Sequence, residues 1–491
     1  MIAALVLLPL LAGLAALLVR RDGPRRTVLL LTAFVHLGLS ASAWRRAPAP
    51  LWNGWLALDP AGRLFLGVTS LLFAVAAVYA VGFLAREEKG KQKDADEAGA
   101  FFLNGPEAIF VGCLLFFFSA MTFVTVCQHF GLLWVAVEAT TLASAPLIYF
   151  HRNHRSLEAV WKYLVVCSVG IALALVGNLF LAVAAAPNGG PAVPLVLSEI
   201  LNQAGHLNVP WLRAALVFFF VGYGTKMGLA PMHTWLPDAH SESPSVVSAL
   251  LSGALLNCAF LALWRAAQTG VAAGQAAFVQ DLFLILGLAS LAVAAVFILG
   301  QTDFKRLLAY SSVEHMGVIA FGMGIGGSGV FAALLHSVNH SLVKGMLFLL
   351  AGNILAAYRT KAVAQVRGVS RLLPVTGPLW LAGFFAISGM PPFGTFLSEL
   401  LIVKAGLDSG RWGVTGVFLL LLTLVFIGMS RCFLNMAQGR PDGNGLVSPT
   451  KEKRIAFLPS LFLGALSLWL GLTVPGFLQR LLQETAARWG G

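Results

Sequence analysis

Long apolar runs, separated by short polar segments, set the pattern of this chain. Fourteen of them fall near residues 2–19, 27–43, 64–84, 107–127, 130–150, 158–186, 211–230, 244–267, 277–300, 307–325, 329–357, 374–407, 412–436 and 455–478. A helix needs about 20 apolar residues, at 1.5 Å each, to cross a hydrocarbon core of about 30 Å. The runs are continuous rather than alternating, which excludes a β-barrel. The pattern predicts an all-α polytopic membrane protein of about fourteen transmembrane helices. Two runs carry helix breakers. The seventh is interrupted by Gly228 and Pro231 in GLAPMH, and a short polar turn holding His233, Asp238 and His240 leads to the next run near Pro244. The twelfth breaks in the middle at GMPPFG. Paired Gly/Pro-interrupted helices in corresponding halves are the sequence sign of inverted repeats. The chain therefore divides into residues 1–105 (helices 1–3), a first five-helix repeat over 106–270 (helices 4–8), a second over 271–437 (helices 9–13), and 438–491 with the last helix.

Composition agrees. Of 491 residues 58% are hydrophobic and 11% charged, with a mean hydropathy of +0.82. A soluble globular protein is excluded. The net charge of +12 does not point to nucleic acid, because the basic residues are spread among the loops. With the N-terminus outside, 21 lysines and arginines fall in cytoplasmic loops and eight on the outer side, and four lysines (Lys162, Lys226, Lys344 and Lys404) fall within apolar runs. That asymmetry places both termini outside. Arg45 and Arg46 run against it. The five cysteines are scattered through apolar runs without a C-x-x-C pair, so neither an iron–sulfur cluster nor a disulfide framework is expected. Residues 1–19 lack a basic n-region and a cleavage site and are read as a span. The polar stretches 86–105 and 437–454 read as loops, and 187–210 as an outer loop with a short interfacial segment.

The chemistry lies in charges inside the runs. A charged side chain at mid-bilayer costs at least about 2.5–3.5 kcal/mol, so such residues usually face a hydrated interior and serve ion movement. Lys226 sits beside the first break, where unwound backbone is tolerated only if protein or water satisfies it; the alternative is a lysine snorkelling to the headgroups. Glu138 lies about 12 Å into the fifth run, with no basic residue within a turn. His336, His340 and Lys344 stand at i, i+4 and i+8 on one stripe of the eleventh run. Histidine both accepts and donates protons near neutrality. Structural histidines, or a zinc site with two histidines and no visible third ligand, are the alternatives. Glu399 follows the second break as a terminal carboxylate on the outer side, and Lys404 snorkels. Lys162, His233, Asp238, His240, Lys305, Glu314 and His315 form a second rank, Lys305 being equally readable as a topology-setting charge.

The string K-x-G-L-A-P-x-H-x-W-L-P-D-A-H-x-E-x-P from Lys226, followed by V-x-S-A-L-L, resembles the antiporter-like membrane subunits of complex I and of membrane-bound hydrogenases. WVAVEATTLASAPLIYF, SSVEHMG and SGMPPFGTFLSELLI are most similar to the hydrogenase-4 component F branch, found in formate-hydrogenlyase-type complexes. The resemblance covers most of residues 60–430. It implies that Glu138 faces Lys226, and that Glu399 takes a position held by lysine or glutamate. Asn257 stands where some members carry a mid-membrane lysine. The runs end without the long lateral helix of the distal complex I subunit.

The expected function is proton translocation by a subunit of a redox-driven complex, either a group 4 membrane-bound hydrogenase or a complex I-like oxidoreductase. A cation/proton (Na+/H+) antiporter subunit and a non-pumping scaffold for a catalytic arm are the alternatives. No nucleophile constellation or cofactor motif appears, so this would be a non-catalytic subunit with no cofactor of its own. A nickel–iron centre, iron–sulfur clusters or quinone would belong to partner subunits. Those partners would be further antiporter-like subunits, a quinone-site-like linker subunit and a peripheral hydrogenase or dehydrogenase arm, in the cytoplasmic (inner) membrane of a prokaryote.

Overall fold

A computed structural model describes residues 1–89, 94–95, 101–102, 104–186, 194–439 and 452–489. The first three helices are α1 (Ile2–Leu18), α2 (Asp22–Arg45) and α3 (Pro60–Lys89). Then come α4 (Glu107–Val126), α5 (Phe130–Ile148), α6 (His154–Ala185), short α7 (Leu197–Asn202), α8 (Val209–Met227), α9 (Trp235–Glu242), α10 (Ser245–Leu250) and α11 (Leu256–Ala272). The second half holds α12 (Ala276–Leu299), α13 (Phe304–Ile325), α14 (Ser328–Tyr358), short α15 (Val369–Leu372), α16 (Thr376–Ile387), α17 (Gly394–Asp408) and α18 (Trp412–Gln438). The last two are α19 (Arg454–Leu472) and α20 (Gly476–Ala487). The polar stretches 86–105 and 437–454 lie partly outside the described residues, and 187–193 and the loop cations Lys91, Lys93, Arg440 and Lys451 lie wholly outside them. Within the first stretch, two-residue strands β1 (Asp94–Ala95) and β2 (Phe101–Phe102) pair antiparallel.

Among the described residues, 11 helices are long and apolar enough to cross a membrane. The other three expected spans fall short of that measure. Helix α1 has 17 residues, α13 opens with Lys305 and Arg306 and carries Glu314, and α16 and α17 are the halves of a broken helix. Leu31, Leu142, Leu179, Ile285, Val296 and Leu420 are each at least 60% exposed. An apolar exterior of this extent belongs in lipid. The chain is a multi-pass α-helical membrane protein.

Burial is graded from outside to inside. The apolar window of Ser245–Ala272 is 100% buried, whereas those of α2 and α18 are 33% buried. Every residue of α13 except Arg306 is buried, and α14 packs against α13, α16, α17 and α19. The innermost helices are thus the ones carrying the polar side chains.

Both breaks form. Gly228 ends α8 in the left-handed region at φ 82°, which a Cβ would disfavour. The expected polar turn is partly helical, however: Met232–Thr234 is a 3-10 turn, and α9 carries Asp238 and His240. Pro237 falls in the first turn of α9, where its missing N–H costs no helical bond. The eighth run is not one regular helix either. A π-helical turn, Leu251–Leu255, separates α10 from α11. A Cβ on Gly253 there would lie 3.0 Å from the Ser341 carbonyl of α14 and 2.8 Å from Leu72 of α3, so the close approach of three helices requires glycine.

Two arginines assigned to loops are instead buried. The Arg265 guanidinium donates to the carbonyls of Val124 (2.8 Å), Thr125 (2.7 Å) and Cys127 (2.6 Å), and to Asp59 (2.8 Å). Arg25 likewise donates to the carbonyls of Ala16 and Val19. Each supplies donors to the unpaired carbonyls of a helix C-terminus. Helix α20, unforeseen in the sequence, buries Leu478, Leu481 and Leu482 against α3 and α14.

Candidate functional site

The titratable residues gather in two places. The first lies among α5, α6 and α8. Lys226, in the last turn of α8, is fully buried. Its Nζ donates to Thr141 Oγ1 at 2.8 Å and to the Tyr163 hydroxyl at 2.7 Å, and it lies 4.5 Å from the centre of the Tyr163 ring. Snorkelling is thereby excluded. Glu138 accepts from Thr141 Oγ1 at 3.2 Å and from Ser168 Oγ at 3.0 Å. Glu138 and Lys226 meet through the Thr141 hydroxyl, which contacts both, and not in a direct ion pair. Glu138 and Thr141 are at i and i+3 on one face of α5, and that face is half-buried at Glu138.

Lys162 is not part of this cluster. It points outward, 48% exposed, bridging Glu158 (2.6 Å) and Asp238 (3.0 Å), and Arg306 holds the other oxygen of Asp238 at 3.1 Å. Successive helix positions turn by about 100°, so its neighbour Tyr163 takes the inward face. Lys162 and Asp238 belong to an ion-pair network at the rim. His233 is buried, with no partner for Nδ1. Its ring lies 6.2 Å from that of Tyr310, and it joins neither cluster.

The second cluster is built by α13, α14 and α17. Sequence reasoning gave His315 second rank, yet it sits at the centre. Its Nδ1 is 2.9 Å from His336 Nε2, and His336 Nδ1 is 2.9 Å from Ser398 Oγ. The His340 ring lies 5.4 Å from that of His315, with neither nitrogen hydrogen-bonded. The His315 ring of the facing helix thus lies beside both His336 and His340, and it is hydrogen-bonded to His336. Glu314 places a carboxylate oxygen 4.0 Å from His315 Nε2. Lys344, fully buried, donates to the Leu308 carbonyl at 2.7 Å. Glu399 brings an oxygen within 4.8 Å of ring nitrogens of both His315 and His336. Gly389 in the break has φ 60°, and a Cβ there would collide with the Glu399 carboxylate, so the break makes room for this acid. Lys404 is exposed and pairs with Asp408 at 2.5 Å.

The sequence offered His336 and His340 as a zinc pair with no third ligand; the group that gathers is a different one, His315, His336 and Glu399, with candidate ligand atoms within 4.8 Å of one another. The hydrogen bond between the two rings takes up His315 Nδ1 and His336 Nε2, and His315 Nε2 has no hydrogen-bond partner.

A third group leads toward the helix ends at Phe304. Lys305 is buried, with Nζ donating to the carbonyls of Ser241 (3.0 Å) and Ser243 (2.6 Å), and Lys361 pairs with Glu242 at 2.6 Å. Between this group and the second cluster lies His240. It is stacked on Phe348, bears no hydrogen bond on either nitrogen, and lies within electrostatic reach of Lys305, Lys344 and His340. Asn257 donates to Ser341 Oγ at 2.6 Å, one residue from His340, as a neutral neighbour of the line. The distinct order of groups is Lys305, His240, Lys344 with His340, His315, His336 and Glu399. Among the described residues no hydrogen bond joins this line to Lys226.

A family model for the transmembrane part of the NADH:quinone oxidoreductase/Mrp antiporter proteins matches residues 127–427. A hydrogenase-4 component F homolog of Methylacidiphilum infernorum is 41% identical over 280 residues, 57% of this chain and 59% of that protein. The NADH-quinone oxidoreductase subunit N of Desulforudis audaxviator is 28% identical, over 86% of this chain and 84% of its own length. Among solved structures, a chain of the membrane-bound sulfane sulfur reductase, an archaeal respiratory membrane complex, superposes with a TM-score of 0.85 at 20% identity, covering 100% of this chain and 97% of that one. The matched residues run from α5 to α18 and include Glu138, Lys226, the α13–α14 histidines and Glu399, so the chain belongs to the NADH:quinone oxidoreductase/Mrp antiporter transmembrane family.

Proposed function

We propose that this chain is a proton-translocating subunit of a redox-driven membrane complex, of the group 4 hydrogenase or complex I-like type. The observation that carries the reading is the buried line of titratable groups across α13, α14 and α17, hydrogen-bonded from His315 through His336 to Ser398. In this reading a proton enters beside Lys305, passes His240 to Lys344 and His340, crosses His315 and His336, and leaves through Glu399. The Glu138–Thr141–Lys226 bridge is a charge-sensitive switch. An approaching charge changes how strongly Lys226 holds its proton, and Glu138, on a half-buried face, receives that signal from a neighbouring subunit.

Moving one charge against 100 mV costs about 2.3 kcal/mol, so the energy comes from partner subunits bearing a nickel–iron centre, iron–sulfur clusters or quinone. Those partners are further antiporter-like subunits, a linker subunit and a peripheral arm. The helices divide into 1–105, two inverted repeats over 106–270 and 271–437 with one break each, and 438–491. Both termini face the outside of a prokaryotic inner membrane. A second reading, a cation/proton antiporter subunit, has support in the family's Mrp branch.

The test is redox-driven proton uptake in inverted vesicles holding the whole complex. His336→Asn is expected to lower pumping roughly a hundredfold or more, the scale of losing one proton-transfer group, while assembly persists. Unchanged pumping in His336→Asn and Lys226→Ala would leave only a scaffold. A sodium requirement would favour the antiporter reading.

A further inference from the structure

The groove between the N-terminal helices and the C-terminal pair belongs to neither cluster. It is a cavity of about 830 Å³ bordered by α2, α3, α14, α19 and α20, within the roughly 300–1,000 Å³ of small-molecule sites. Its walls are apolar, with Leu37, Val68, Leu71 and Leu466 among them. Its mouth is not: Arg45, Arg63 and Arg480 line it, with Glu484 the one acid. Glu484 pairs with Arg63 at 3.1 Å, and Arg63 Nε is buried without a partner. Arg480 uses its Nε on the Gly476 carbonyl, and no ion-pair partner is present for Arg45 among the described residues. Two guanidinium charges therefore remain uncompensated at the mouth of an apolar slot. Trp44, Trp469 and Phe477 line the same cavity, and aromatic side chains of this kind gather at the headgroup level of a bilayer.

We propose that this groove is a binding site for one anionic phospholipid. Its phosphate would be held by Arg45 and Arg480, with Arg63 Nε as a further donor, and its acyl chains would lie along the apolar walls. Guanidinium groups suit phosphate because they offer paired donors in a fixed plane, and basic pockets between transmembrane helices are the usual seats of anionic headgroups. The occupant is a lipid rather than free phosphate because the slot runs inward to Val338 and Leu342 of α14, far more apolar depth than an inorganic ion uses. Val338 and Leu342 are each two positions from His340, about 200° around the helix. The bound chains would thus support α14 from behind its histidine face. This also accounts for Arg45, the charge that fitted the loop asymmetry worst.

The test uses the intact complex in nanodiscs of defined phosphatidylglycerol and phosphatidylcholine content, with retained lipid measured by native mass spectrometry after stripping. Wild type is expected to keep phosphatidylglycerol in preference to phosphatidylcholine. Arg45→Gln combined with Arg480→Gln is expected to lose that preference, and Ala41→Trp, which fills the groove without changing its charge, to lose the lipid itself. Equal retention of the two lipids by wild type would overturn the proposal. So would undiminished phosphatidylglycerol in either variant, or a partner subunit found seated in the groove. Pumping in the vesicle assay reads the proton line separately, so either reading can fail alone.

Discussion

Thr141 is the residue on which the first cluster turns. Its single hydroxyl accepts from Lys226 and donates to Glu138, so it fixes the direction of a three-member chain. Thr141→Val removes the bridge while keeping the shape. It leaves a buried ammonium short of one acceptor, a loss of about 1–3 kcal/mol. We expect a thermal shift to lower temperature and impaired pumping, with Thr141→Ser restoring both. The second cluster gives a sharper contrast between neighbours. His315→Asn breaks the hydrogen bond to His336 and is expected to lower proton uptake roughly a hundredfold. Lys162→Gln, one position from Tyr163 but pointing to the rim, is expected to shift stability by no more than about 1 kcal/mol, the ordinary worth of an exposed ion pair. Proton uptake and thermal denaturation of the four variants separate these outcomes. The sequence showed Glu138, Lys226 and the α14 stripe because a charge inside an apolar run stands out. It hid Tyr163, Thr141 and Ser398, because hydroxyl side chains are unremarkable in a membrane helix until a partner faces them.

At the scale of elements, the two breaks and the π turn decide where side chains can go. Gly389 leaves the space that Glu399 fills, and Gly253 lets α14 close on the Ser245–Ala272 helix. Gly253→Ala is expected to push these helices apart and destabilise the protein by about 1–3 kcal/mol, the range for an overpacked core. A thermal melt of the purified complex checks it. The breaks were legible, since glycine and proline interrupt a helix by backbone chemistry alone. The π turn was not, because LSGAL has no local feature that an ordinary α-helix lacks. The turn forms where Ser341 and Asn257 both donate to the Gly253 carbonyl, and Ser341 comes from 88 residues away.

For the whole molecule, the organising feature is an apolar shell around polar inner helices. Leu420 of α18 is 60% exposed and lies about 12 Å from the start of that helix. Leu420→Lys therefore places a charge against hydrocarbon, at about 2.5–3.5 kcal/mol on insertion scales. The amount of protein recovered from membranes is expected to fall. Composition and run length alone determined that this chain spans a membrane many times and marked out the charges inside those spans, because hydrocarbon penalises a charge wherever it falls in the sequence. Tertiary structure decided which charges meet. One helix offers its side chains in every direction, and only the packing of α13 against α14 and of α5 against α8 determines whether a group faces a neighbour, as His315 and Lys226 do, or the surroundings, as Lys162 and Lys404 do.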